Sequence, residues 1–114
     1  MRDWDEVRAL AARLPEVADG LSYGTPALKV GRALVARLRE DGESIALFDV
    51  PEDEREMLIA AAPDVFFTTP HYDGYAIVLA RLSAIEPERL FPFLERRWRA
   101  KAPKRALRAY EGRD

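Results

Sequence analysis

The stretch from Val65 to Leu82 constrains this chain more than any other part of it. Val-Phe-Phe-Thr-Thr opens it and Tyr-Ala-Ile-Val-Leu-Ala-Arg-Leu closes it. These are the densest β-branched and aromatic runs in the sequence, and such runs suit a pleated, half-buried surface. Between them, Pro70-His71-Tyr72-Asp73-Gly74 is polar and marked by proline and glycine. Two strands joined by a loop are expected here. The loop holds the single histidine and, with Tyr75 just beyond it, two of the four tyrosines.

The remaining segments alternate between the two periods of regular structure. Asp3, with Glu6 three residues later, opens a helix whose stripe is Trp4, Val7, Leu10, Ala11 and Leu14. Pro15 stops or bends it, and Glu16 to Pro26 reads as an irregular link. Three strands follow at Ala27–Val30, Ala33–Arg39 and Ser44–Phe48. They turn at Gly31-Arg32 and at Asp41-Gly42, the latter a strong hairpin signal. Pro51 and the acids behind it start a short helix that Pro63 ends. After the two strands of the opening stretch, Pro87 starts the last helix, on which Leu90, Phe91, Leu94, Arg97 and Trp98 share a stripe. Pro103 kinks or restarts it.

The expected order is therefore α-β-β-β-α-β-β-α. It implies an α+β, two-layer domain: a five-stranded antiparallel sheet with helices on one face. At 114 residues the chain fits one domain over 1–114. No apolar run approaches the ~20 residues that span a bilayer. The N-terminal Met-Arg-Asp-Trp-Asp-Glu lacks an apolar signal core. A cytoplasmic location without membrane contact is expected. The absence of cysteine removes disulfides, thiolate metal sites and a cysteine nucleophile.

Ser22-Tyr23-Gly24-Thr25-Pro26-Ala27-Leu28-Lys29-Val30, Thr69-Pro70-His71-Tyr72-Asp73-Gly74-Tyr75, the terminal Ala102-Pro103-Lys104 and the order of elements together resemble the MmcQ/YjbR-like family. Many members carry Asn and Trp where this chain has Asp73 and Tyr75. The resemblance spans nearly the whole chain. It implies a two-layer α/β fold like that of type III secretion chaperones, and a DNA-binding function, the label the family commonly carries. It implies no catalytic residue.

The residues themselves suggest four surfaces. His71 is the only side chain whose unperturbed pKa lies near neutrality. It serves either as a base or anion contact, or as a structural residue whose ring bonds a backbone carbonyl and orders the turn. Tyr23, Tyr72 and Tyr75, in or beside connections, line a shallow pocket or stack on bases; alternatively each buries its ring and leaves its hydroxyl wet. If Leu28, Val30, Leu34 and Leu38 face the helices, then Lys29, Val35, Arg37 and Arg39 face away, and a basic sheet face results. Arg81 joins them if the last strand is so oriented.

Finally, the first sixty residues hold thirteen acids against eight bases, while the rest hold seven against ten. That excess gathers in Arg96, Arg97, Arg99, Lys101, Lys104, Arg105 and Arg108, which suits phosphate contacts or a solvated helix end. No metal-ligand spacing, phosphate-binding glycine loop or nucleophile elbow is present, so neither a cofactor nor an enzymatic activity is indicated. The leading reading is a small non-enzymatic binding protein with DNA as a weak, non-specific partner. A protein-interaction module is the first alternative. A small-ligand protein or enzyme centred on His71 is the second.

Overall fold

The computed structural model describes residues 3–112. The elements in chain order are α1 (Trp4–Ala11), β1 (Val17–Ser22), β2 (Thr25–Val30), β3 (Ala33–Leu38), β4 (Ser44–Phe48), α2 (Glu52–Ala61), β5 (Phe66–Phe67), β6 (Ile77–Arg81), α3 (Pro87–Lys101) and α4 (Lys104–Glu111). A single 3-10 turn, Pro70–Tyr72, lies between β5 and β6. All six strands form one antiparallel sheet in the order β1-β2-β3-β4-β6-β5. The fold is α+β, with six strands rather than five and four α-helices rather than three among the described residues.

The added strand is β1, in the segment expected to be an irregular link. Asp19 and Gly20 are poor strand formers, but an edge strand pairs on one side only and tolerates them. Its turn is Tyr23-Gly24, with φ of 52° and 79°. Positive φ at both central residues is the pattern that matches the twist of a two-residue hairpin. The added helix comes from Ala102-Pro103, where α3 stops and α4 restarts. Asp3 caps α1 as expected, its Oδ1 accepting from the Glu6 amide at 3.0 Å.

The core lies between the sheet and the helices. Leu28, Val30, Val35, Ala36, Ile45, Leu47, Val78 and Ala80 project into it from the strands. Val7, Leu14, Leu90, Leu94 and Trp98 meet them from the helical side and just beyond it. Trp98 is fully buried; its indole Nε1 donates to the Pro15 carbonyl at 2.8 Å, and its ring meets Tyr110 edge-on. This one side chain ties α3, α4 and the turn after α1 into a single layer. Phe91 is only half-buried, under the Arg13 guanidinium, and Phe93 takes the buried place instead.

The alternation expected for β3 is broken by a bulge. Leu28 pairs with Ala36 but Lys29 pairs with Leu34, leaving Val35 as the extra residue. An inserted residue reverses the side-chain alternation beyond it. Val35 therefore enters the core and Leu34 lies on the opposite face, the reverse of the sequence expectation. Lys29 and Arg37 do face away from the helices.

Candidate functional site

The face of the sheet turned away from the helices is not simply solvated. Along one row across it run Ala27, Arg37, Ala46, Leu79 and Phe67, each paired with the next. Arg37 is flanked by two alanines, which leave a hollow above their small side chains. Between them Arg37 is only 7% exposed as a whole residue. A buried guanidinium needs its donors satisfied. Nη1 donates to Thr25 Oγ1 and Glu40 Oε1, both at 3.1 Å, and to the Leu38 carbonyl at 3.4 Å. Nη2 donates to the Tyr72 hydroxyl at 3.2 Å. The Glu40 carboxyl is held below the usual range, first by its own backbone amide and then by Arg37.

Tyr72 arrives from the loop between β5 and β6 and roofs part of this face with Ala46 and Leu79. The loop is fastened from the other side by Arg55 of α2, a buried arginine that the sequence reading passed over. Its Nη1 donates to the carbonyls of Tyr72, Tyr75 and Ile77 at 3.3, 3.2 and 3.5 Å. The loop also bonds to itself, Tyr72 to Thr69 and Asp73 to Pro70 through their backbones. His71 does not order it. Its ring is exposed, makes no hydrogen bond to another described residue, and packs edge-on against Tyr72 at 4.9 Å. The backbone and Arg55 had already closed the turn, so a carbonyl for the imidazole was not required.

The result is a groove of about 510 Å³ lined by Tyr23, Leu34, Arg37, Glu40, Ala46, Phe48, His71, Tyr72, Tyr75 and Ile77. All four aromatic candidates from the sequence, His71, Tyr72, Tyr75 and Tyr23, meet there. Tyr72 is buried in the floor, while Tyr23 and Tyr75 stand at the rim, 90% and 61% exposed. Leu34, Phe48, Ile77 and Glu40 were not read as groove residues. Period-2 alternation places Phe48 and Ile77 on this face once their pairing is known; Leu34 reaches it only through the bulge.

Beyond Tyr72 the same face carries alternating rings and guanidinium groups. Arg37 lies 5.7 Å from the Tyr23 ring, Arg39 lies 5.7 Å from both Tyr72 and Phe67, and Arg81 lies 4.3 Å from Phe67. Each arginine stem covers apolar sheet while its planar head stacks on a ring. Arg39 is also paired with Asp41 at 3.1 Å, and Arg81 donates to the Pro63 carbonyl. The Lys29 stem lies over Gly20, where an added Cβ would approach its Cδ to 3.2 Å.

The cations of the last two helices do not form one free patch. Arg96 holds the Glu54 carboxylate through both terminal nitrogens at 2.9 and 3.0 Å. Arg97 donates to the Leu34 carbonyl at 2.7 Å and to Asp49 at 3.0 Å, with its guanidinium over Phe48. Arg99 contacts Glu95 and Glu111. Arg105 clasps Glu16 at 2.8 and 3.0 Å, and this hydrogen bonding lowers the Glu16 pKa. Lys101, Lys104 and Arg108 are exposed and have no ion-pair partner among the described residues. Also among the described residues, no group of three His, Asp or Glu is placed to hold a metal ion, and no helix is long and apolar enough to cross a membrane.

The chain is similar to the uncharacterized protein Rv2570 of Mycobacterium tuberculosis and the uncharacterized protein Mb2600 of Mycobacterium bovis. Each is 32% identical over an alignment of 124 residues that covers 96% of this chain and 96% of the relative. No family model matches the chain. No solved structure matches it either.

Proposed function

The chain belongs to the same family as those mycobacterial proteins, and we propose that it is a non-catalytic binding domain of the MmcQ/YjbR-like kind whose ligand sits in the groove on the open face of its sheet. The observation that carries this reading is convergence. Residues from β3, β4, the β1–β2 turn and the β5–β6 loop meet around one recess of about 510 Å³. Recesses of this size, with apolar walls and a few fixed polar groups, are what small ligands occupy. Binding is favoured over catalysis because a general base must be oriented by a partner, and the contact at His71 is a T-shaped one with the Tyr72 ring.

The test is a screen of small ring compounds followed by amide chemical shifts. Binders should perturb Tyr23, Arg37 and Tyr75, and Tyr75→Ser should weaken them. Hits that perturb only other surfaces would overturn the reading.

A second reading, weak non-specific DNA binding, is favoured by Lys101, Lys104 and Arg108, which have no ion-pair partner among the described residues. With seven free cations the salt dependence would be steep. With three phosphate contacts the slope of log K against log salt is about −3, and a dissociation constant of ~1–100 μM at physiological salt is expected. Replacing Lys101, Lys104 and Arg108 with Gln should remove the slope. Absence of binding to labelled duplex at low salt would discard this reading.

A further inference from the structure

Resting on the groove-binding reading, we infer that the ligand is a small planar aromatic anion, a flat ring bearing a carboxylate or a phosphate, and that Glu40 is the internal carboxylate it displaces from Arg37. The floor of the groove carries a positive charge whose neutralisation is loosely held. Of the four hydrogen-bond acceptors on the Arg37 guanidinium, Thr25, Leu38 and Tyr72 are neutral. The fourth is Glu40, engaged through Nη1 alone at 3.1 Å.

The two sides of this ion pair differ sharply. The Arg37 side chain is 9% exposed and that of Glu40 is 63% exposed. The arginine is fixed between Ala27 and Ala46 by the sheet, whereas the carboxylate sits at the mouth and can turn out to water. An exposed carboxylate contributes little to such a pair. A ligand anion entering the recess meets the same guanidinium in a drier setting, where the attraction is stronger.

The walls account for the ring. Tyr23 and Tyr75 present exposed faces at the rim, with Phe48 and Ile77 below them. Tyr23 also occupies a left-handed backbone position, φ 52°, where Asn or Gly is the less strained choice. An aromatic residue stands there at a cost to the turn, a strain of the kind that clusters at binding sites.

The experiment titrates the protein with two anions, indole acetate and adenosine monophosphate, and with their neutral counterparts, indole acetamide and adenosine. Amide shifts at Tyr23, Arg37 and Tyr75 provide the readout. At least one anion should bind about tenfold more tightly than its neutral counterpart. Glu40→Gln should tighten that anion about twofold to fivefold and leave the neutral rings unchanged. A preference for adenosine monophosphate identifies phosphate as the anion, and a preference for indole acetate identifies carboxylate. Arg37→Gln should abolish the distinction; should that variant fail to fold, Glu40→Gln still decides, because its side chain is exposed. Equal affinity for charged and neutral rings, or weaker anion binding by Glu40→Gln, overturns the inference and leaves groove binding standing. If no ring compound perturbs the groove, groove binding itself falls and the inference with it.

Discussion

The two faces of the one sheet are buried by different physics. Toward the helices, Ile45, Leu47, Val78 and Ala80 are completely sealed, and Trp98, Leu90 and Leu94 fill the space above them. On the other face Ala46 and Leu79 are also inaccessible, yet their cover is the Tyr72 ring from one 3-10 turn, the half-buried Phe48, Phe67 and Ile77, and the Arg39 guanidinium over two of the rings. The first face is closed by volume, where dispersion and the hydrophobic effect are non-directional and a dense fit leaves no room. The second is closed by directional contacts between guanidinium groups, carbonyls and rings. Directional contacts do not fill space evenly, and a groove remains. A single sheet can thus hold a dense core and an open groove a strand's thickness apart.

The largest expected effect breaks the helix-side face. Trp98→Ala should cost about 3–5 kcal/mol, the usual cost of truncating a fully buried large aromatic. A loss below about 1 kcal/mol in urea melts would show that the helical layer is not anchored there. The open face should respond less. Arg55→Met removes the donor shared by the Tyr72, Tyr75 and Ile77 carbonyls and should cost about 2–3 kcal/mol. Amide exchange should then quicken from Tyr72 to Ile77 while β3 and β4 stay protected. Uniform quickening across the sheet would mean that the loop and the sheet are one cooperative unit. Tyr23→Asn should act in the opposite sense, raising stability by ~0.5–1 kcal/mol through a less strained turn while weakening ring binding in the groove. Loss of both stability and binding would remove the argument that the tyrosine is kept for its ring.

Acid sharpens the comparison with the smallest effect per group. Hydrogen bonding from Arg8 lowers the Asp19 pKa, and hydrogen bonding from Arg105 lowers that of Glu16, both beside the helices. On the open face Glu40 is lowered too. Asp41 is pushed up by partial burial but lowered overall by the Ser44 hydroxyl and the amides of Glu43 and Ser44. A carboxyl held below its ordinary value of 3.8 or 4.5 stabilises the fold above that value and loses the contribution as the pH falls through its folded value. Melting temperature should therefore hold above about pH 5 and decline below about pH 4. Resonances of Arg37 should shift as Glu40 protonates. Arg37 signals that ignore pH across this window would sever Glu40 from the groove.

Much of the fold was legible because its signals are short in range. The helical stripe ending at Trp98, the proline and glycine punctuation and the β-branched runs around His71 each act over a few residues. The polar loop marked for attention does carry part of the groove. β1 escaped notice because Asp19 and Gly20 lack strand character and Tyr23 replaces the usual first residue of its turn. Of the two roles open to His71, the ordering of the loop falls to Arg55 and the loop backbone instead. No local pattern announces an arginine that reaches from α2 to three carbonyls at least seventeen residues away.

By itself the sequence determined that this is an α+β domain, that turns fall at Gly31-Arg32 and Asp41-Gly42, and most of the helical stripe that is dry. Those follow from backbone propensity and from the periods of helix and strand, properties each segment carries wherever it goes. Only the tertiary structure decided that Leu34 and Val35 exchange faces, because a bulge depends on the partner strand. It alone decided which cations are free, because Arg105 meets Glu16 across 89 residues and Arg96 meets Glu54 across 42. It also brought three tyrosines, a histidine and an arginine to one recess. Pairing and convergence are properties of packed segments together, and no segment alone contains the information for them.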